Sequence, residues 1–157
     1  MFQTDQRYAV TCYANNKAII IQTDSGFRML LLDHMFPPDI FDPDVEDEVL
    51  GKAVLRALAN SRTFVYGTHE YKDFFDQEKG QQLYEQWVAL LCKELGYKNK
   101  GPLFRKMKNC GIRLCNGAIV ISPMKHVRGD AWDGMAWMIS TMSCLLWIIA
   151  LKKSVRG

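Results

Sequence analysis

The first third of the chain reads as a series of short apolar runs broken by polar turn residues, the pattern of successive strands. Three runs rich in β-branched and aromatic residues, 7–13, 17–23 and 27–32, are separated by Ala14-Asn15-Asn16 and by Asp24-Ser25-Gly26. Short turn-residue loops between such runs predict an antiparallel meander. Ile19, Ile20 and Ile21 are consecutive, which predicts a central strand with both faces covered.

Pro37 and Pro38 end the meander, and the apolar spacing then lengthens to three and four. Leu50, Val54, Ala57, Leu58 and Ser61 fall on one face of a helix predicted from Asp42 to about Arg62, with Gly51 allowing close approach to a neighbour. Asp42 supplies a side-chain acceptor at the cap, and Pro43 occupies the first helical position, where its missing N–H costs nothing. Acids crowd the first turns, and Arg56 and Arg62 stand near the end, as the helix dipole favours. A short strand at 63–66 and a polar stretch at 67–80 follow. A second helix comes next, with Leu83, Trp87, Leu90, Leu91 and Leu95 as its apolar stripe and Gly96 as its stop. After a short turn from Gly101, residues 111–115 and 118–122 flank Asn116-Gly117, the strongest hairpin signal in the chain.

Residues 134–151 contain no charge, a length at the threshold for a membrane span. Ser140, Thr141 and Ser143 interrupt that run, and Ala150-Leu151 with Ser154 echoes the Ala57-Leu58 and Ser61 of the first helix. The segment therefore reads as a strand at 136–141 and a buried helix at 144–154, rather than as a tail anchor. The expected fold is a single domain over residues 1–157, α+β or mixed α/β, with an antiparallel or mixed sheet packed by two or three helices.

Composition narrows the function classes. Hydrophobic residues make up 48% and charged residues 24% of the 157, close to globular averages, which excludes a disordered or collagen-like chain. The net charge of +3 hides an asymmetry: residues 1–97 carry 9 Lys/Arg against 15 Asp/Glu, whereas residues 98–157 carry 11 against 2. Seven of the acids, Asp33, Asp39, Asp42, Asp44, Glu46, Asp47 and Glu48, lie in one stretch without a single Lys or Arg. Helix capping explains about three of them, and the excess points to a surface that meets a basic partner.

Enzyme signatures are absent: there is no phosphate loop, dinucleotide fingerprint, H-E-x-x-H motif or nucleophile elbow. Neither a metal nor a cofactor is expected. Cys110 and Cys115 have a spacing a zinc loop could use, but His34, His69 and His126 form no paired ligand motif, so the five cysteines read as structural thiols. His34 beside Asp33 and His69 beside Glu70 promise no dyad, since neighbours along a strand point to opposite faces; His126 reads as a residue that orients a loop against Trp132. Lys98, Lys100, Arg105, Lys106 and Lys108, with Tyr97 and Phe104 interleaved, would suit a nucleic-acid backbone with stacked bases, and Arg113, Lys125 and Arg128 extend the patch if the hairpin packs beside it. The blander interpretation is a solvated loop, because surface lysines require no ligand.

Two blocks carry a family resemblance. Asp47-Glu48-Val49-Leu50-Gly51-Lys52-Ala53-Val54-Leu55, continuing to Asn60-Ser61-Arg62, resembles a helix of the contact-dependent growth inhibition immunity proteins. Leu103-Phe104-Arg105-Lys106-Met107-Lys108-Asn109-Cys110, followed by residues 119–123, His126 and Trp132, resembles that family's second block. The resemblance implies a cytoplasmic protein that binds the toxic C-terminal domain of a delivered effector and blocks it without catalysis. Such toxins are commonly nucleases with basic surfaces, and the acidic stretch would be drawn to a basic cleft. The seven acids are thus the toxin-binding candidates, chosen from charge density alone. The expected partner is the toxin domain, with no small-molecule substrate, nucleic acid or membrane. The alternative is a small nucleic-acid-binding module using the basic segment 97–128.

Overall fold

The computed structural model describes residues 2–134, so the strand and helix expected within 134–154, and the echo that suggested them, lie outside the described residues. One curled antiparallel sheet organises the chain. Its strands are β1 (Tyr8–Ala14), β2 (Ile19–Phe27), β3 (Met29–Leu32), β4 (Asp39–Phe41), β5 (Lys108–Cys115), β6 (Ala118–Arg128) and β7 (Ala131–Gly134). The order across the sheet is β3-β2-β1-β5-β6-β7, and β4 pairs with the other half of the β2 edge that β3 leaves open. Four helices lie among the strands: α1 (Asp47–Asn60), α2 (His69–Phe74), α3 (Gln77–Leu95) and α4 (Lys100–Arg105). Two of these, α1 and α3, are the expected long helices, and the short α2 and α4 join them among the described residues.

The three isoleucines behave as their run predicts. Ile19 and Ile21 join Val10, Cys12 and Ile112 in a core beneath Leu50, Val54 and Leu58 of α1. Ile20 faces the other way, into a core made with Tyr13, Trp87 and Leu91 of α3 and with Leu103 and Phe104 of α4. The sheet is therefore sandwiched, with α1 on one face and α3 and α4 on the other. Each fully buried aliphatic side chain contributes about 1.5–3 kcal/mol, so both layers depend on this middle strand. Along α3, Leu90 turns outward, and Tyr84 and Val88 pack in the core instead.

Several expected boundaries move. Asp24-Ser25-Gly26 is strand, not turn, because each residue has a partner that sequence neighbours do not supply. The Asp24 carboxylate accepts from Thr11 Oγ1 at 2.5 Å, and Ser25 Oγ donates to Asp33 at 2.6 Å. Gly26 bonds with the segment after α1, donating to Arg62 O at 3.0 Å and accepting from Phe64 N at 3.1 Å. A Cβ at Gly26 would collide with the Met29 carbonyl, so glycine is needed there for close approach rather than for a turn. The reversal is made at Arg28, with φ 58°. The strand expected at 63–66 is reduced to the single Gly26–Thr63 bridge.

α1 starts later than expected, at Asp47 with Glu46 at the cap, because Asp42 instead closes a turn with Val45 and β4 occupies the residues just before it. Its end is fixed from the sheet: Ser61 Oγ accepts from Ala9 N at 3.0 Å and donates to Asp24 O at 2.5 Å, and Thr23 Oγ1 donates to Ala57 O at 2.8 Å. The other stops agree with expectation. Gly96 caps α3 in the left-handed region, at φ 73°, and Asn116 and Gly117 both take positive φ between β5 and β6, as a two-residue hairpin turn of this type demands.

Candidate functional site

The seven acids divide into six and one. Asp39 lies on β4, Asp42, Asp44 and Glu46 on the loop leading to α1, and Asp47 and Glu48 in its first turn. Asp42, Asp44, Glu46 and Glu48 are exposed, and Asp39 and Asp47 are half-buried. The helix N-terminus, with its unpaired N–H groups, lowers the cost of concentrating these charges. Two basic side chains pair with the strip: Arg56 reaches Asp39 at 2.9 Å and Lys52 reaches Glu48 at 2.8 Å, both exposed pairs of the kind that contributes little.

Asp33, expected on the same acidic surface, is turned inward and is 1% exposed. Its carboxylate accepts from Arg62 Nε and Nη2 at 2.8 Å each, from Ser25 Oγ at 2.6 Å and from Met35 N at 3.2 Å. It is a structural carboxylate at the base of a cleft of about 800 Å³. β3 and the loop after it form one wall of the cleft, and α2 with the start of α3 forms the other. The Arg62 guanidinium lies 5.0 Å from the Phe64 ring and 6.0 Å from the Phe74 ring, within reach of cation–π attraction. Met29 and Met35, 59% and 67% exposed, stand on the rim with Leu31. Val65 and Tyr66 are 70% and 71% exposed, and Phe27 and Tyr71 continue the aromatic surface through ring contacts with Tyr66. Exposed apolar surface of this kind makes the cleft and its surroundings a candidate interaction site.

Sequence reading missed this cleft. Met29-Leu30-Leu31-Leu32 has the composition of a buried run, and only its position at the sheet edge leaves Met29 and Leu31 outside. Arg62, expected at the end of α1, lies beyond that helix, and its partner Asp33 is 29 positions away.

Ionisation is shifted at several points around these features. Burial pushes Asp24 up to about 6, with the Thr11 hydrogen bond and the charge of Arg113 working against the shift. Burial lowers His34, with Asp33 opposing. At the opposite edge, burial and the hydrogen bond to Asp130 raise the Tyr84 hydroxyl, and the same bond lowers Asp130. Lys100 reaches Asp130 at 3.5 Å, so the β6–β7 turn is tied to both α3 and α4. His126 stacks on Trp132 at 5.1 Å and bonds Gly129 O at 2.7 Å, which is the orienting role its neighbourhood suggested.

The basic segment does not assemble as a base-stacking surface. Phe104 is 1% exposed and lies in the core between Trp87 and Trp132, so it offers no face to a nucleobase. Tyr97 carries the Lys17 ammonium 4.3 Å from its ring centre. Lys100 is engaged with Asp130, and Arg113 stands near Asp24 on the sheet.

With this geometry in view, comparison with known proteins is decisive. A family model described as CDI immunity protein matches residues 8–140. The chain belongs to the CDI immunity protein family. Immunity protein CdiI-YPIII of Yersinia pseudotuberculosis serotype O:3 (strain YPIII) is 35% identical to it over 130 residues, which cover 76% of this chain and 73% of that protein. Among solved structures, a protein of unknown function from Neisseria meningitidis, NMB0488, is 46% identical with a TM-score of 0.88, covering 99% of this chain and 96% of that one. A chain of the CdiA-CT/CdiI toxin and immunity complex from Yersinia pseudotuberculosis is 28% identical with a TM-score of 0.78, covering 96% of each. In this CDI immunity protein the two family-like blocks fall mainly on the scaffold: Leu50, Val54 and Leu58 in one core, Leu103, Phe104 and Met107 in the other. The exposed acids and the cleft rim lie largely outside those words.

Proposed function

We infer that this chain binds the C-terminal toxin domain of a cognate CdiA-type effector in the cytoplasm and neutralises it as a tight stoichiometric complex, without catalysis of its own. Family membership carries this reading, supported by the likeness to a chain of a toxin and immunity complex. The surface offers two features suited to such a partner. The six exposed or half-exposed acids of the strip, Asp39, Asp42, Asp44, Glu46, Asp47 and Glu48, create a negative field that steers a basic protein and speeds encounter. The apolar rim of the cleft, with Met29 and Met35, and Tyr66 beside it against Tyr71, supplies the adaptable aromatic and thioether surface typical of interface anchors. A toxin that handles nucleic acid would present a basic cleft, and the strip is the part of this chain that would compete for it.

Growth rescue tests the reading. The C-terminal domain of a candidate CdiA-type effector from the same genome is induced in cells with and without this chain, and the two proteins are co-purified. Restored growth with a one-to-one complex is the expected result. Continued toxicity and no complex, with both proteins produced and soluble, would overturn it.

A further inference from the structure

A second concave site lies on the face opposite α1, where the β1–β2 turn meets the residues around α4. It is a nook of about 180 Å³ lined by Asn15, Asn16, Tyr97, Leu103, Arg105 and Lys106. Its frame is rigid. Asn15 is 3% exposed, and its side chain accepts from Lys17 N at 2.9 Å and Ala18 N at 3.0 Å while donating to Tyr97 Oη at 3.1 Å. Lys17 then lies over the Tyr97 ring and donates to Leu95 O at 3.1 Å, tying the turn to the end of α3.

The chemistry of the lining is one-sided. Tyr97 Oη accepts from Asn15, so its own O–H remains available as a directed donor, and no acceptor for it occurs among the described residues. Arg105 and Lys106 are exposed and have no carboxylate partner among the described residues. No acid lines the nook, and residues 95–129 contain no Asp or Glu. The next acid along the chain, Asp130, is bonded to Tyr84 and Lys100. A guanidinium, an ammonium and a phenol lining a small space that no carboxylate lines match a tetrahedral oxyanion.

We propose that this nook binds the phosphate group of a phosphate ester, with Arg105 and Lys106 supplying charge and the Tyr97 hydroxyl, held by Asn15, supplying direction. Phe104, in the core, offers no face for base stacking, and Lys17 covers one face of Tyr97. The site is separate from the acidic strip and the cleft, and it does not depend on the toxin-binding reading.

Nuclear magnetic resonance titration of the isotope-labelled full chain tests it, with inorganic phosphate, ribose 5-phosphate, ribose and an oligothymidylate lacking a terminal phosphate as probes. Inorganic phosphate and at least one ester should produce saturable shifts confined to the amides of 15–18 and 97–106, and ribose none. The R105A/K106A variant, altered only at exposed positions, should lose affinity at least about tenfold with an otherwise unchanged spectrum. Y97F, which removes the hydroxyl and with it the bond from Asn15, should weaken binding severalfold. A response to ribose 5-phosphate but not to the oligothymidylate assigns the site to soluble monoesters, whereas saturation by the oligothymidylate with steep salt dependence assigns it to a diester backbone. Absence of saturable shifts with every phosphate probe, or shifts unchanged in R105A/K106A, would overturn the proposal.

Discussion

Arg62 holds Asp33 through two side-by-side hydrogen bonds of 2.8 Å, joining the segment after α1 to the loop after β3. The pair is unequal in exposure: the carboxylate is 1% exposed and the guanidinium 36%. Removing one member of a buried pair costs about 3–5 kcal/mol, because the other is left uncompensated. Arg62→Ala strands the deeply buried carboxylate and should approach that range; Asp33→Ala strands a half-hydrated guanidinium and should cost less. In urea unfolding the double variant should lose clearly less than the sum of the two singles. Additive losses would mean that the two groups do not act as a pair.

Stability should depend on pH through Asp24. Its pKa rises from 3.8 to about 6 on folding, so between those values the folded state holds a proton that the unfolded chain has released. The folded state is therefore penalised as pH rises through this window; the penalty is absent below about 4 and complete above about 6. Its full size is roughly 3 kcal/mol, at about 1.4 kcal/mol per pKa unit. Asp24→Asn keeps an acceptor for Thr11 and removes the charge. The variant should gain stability relative to the parent as pH goes from 4 to 7, measured as the difference in denaturation midpoint. A difference independent of pH would refute the assignment.

Charge reversal on the strip separates steering from anchoring. Asp42→Lys, Asp44→Lys and Glu46→Lys together alter exposed positions ahead of α1, and the fold should tolerate them with a loss under about 1 kcal/mol. The association rate with the toxin domain should fall by about tenfold or more at low salt and converge with the parent at high salt. Stopped-flow mixing at several ionic strengths decides the matter, and identical salt profiles would exclude the strip from the interface.

Met29→Glu and Met35→Glu probe the cleft in the opposite way. Both side chains are exposed, so thermal unfolding should barely move, while the dissociation rate of the toxin complex should rise by about tenfold or more if they are interface anchors. Unchanged dissociation with both substitutions present would place the toxin elsewhere.

Local chemistry was legible in the sequence wherever it was sufficient. Ile19-Ile20-Ile21, Gly96 and Asn116-Gly117 specify a two-sided strand, a helix stop and a hairpin turn from their own properties. Asp24-Ser25-Gly26 misled because its polar residues are satisfied by Thr11, Asp33 and the residues after α1, and no local window contains those partners. The candidate site divides along the same line. Charge density located the strip, and Asp33 was misplaced within it because only the fold brings Arg62 to it. The cleft, assembled from β3, α2 and α3, had no signature in any single segment.

The pairing of β1 with β5 also dictates a timetable for synthesis. Every β1 residue from Tyr8 to Ala14 is matched to a residue 94 to 106 positions further along. At about 5–20 residues per second, a ribosome needs roughly 5–20 s to deliver that partner strand. During that interval β1 presents an unpaired edge in addition to the outer edge that β3 and β4 keep in the finished sheet, the kind of surface that recruits strands from other chains. Completion of the sheet is thus a late event, and a nascent chain of this protein is most exposed to misassociation before residue 115 has emerged.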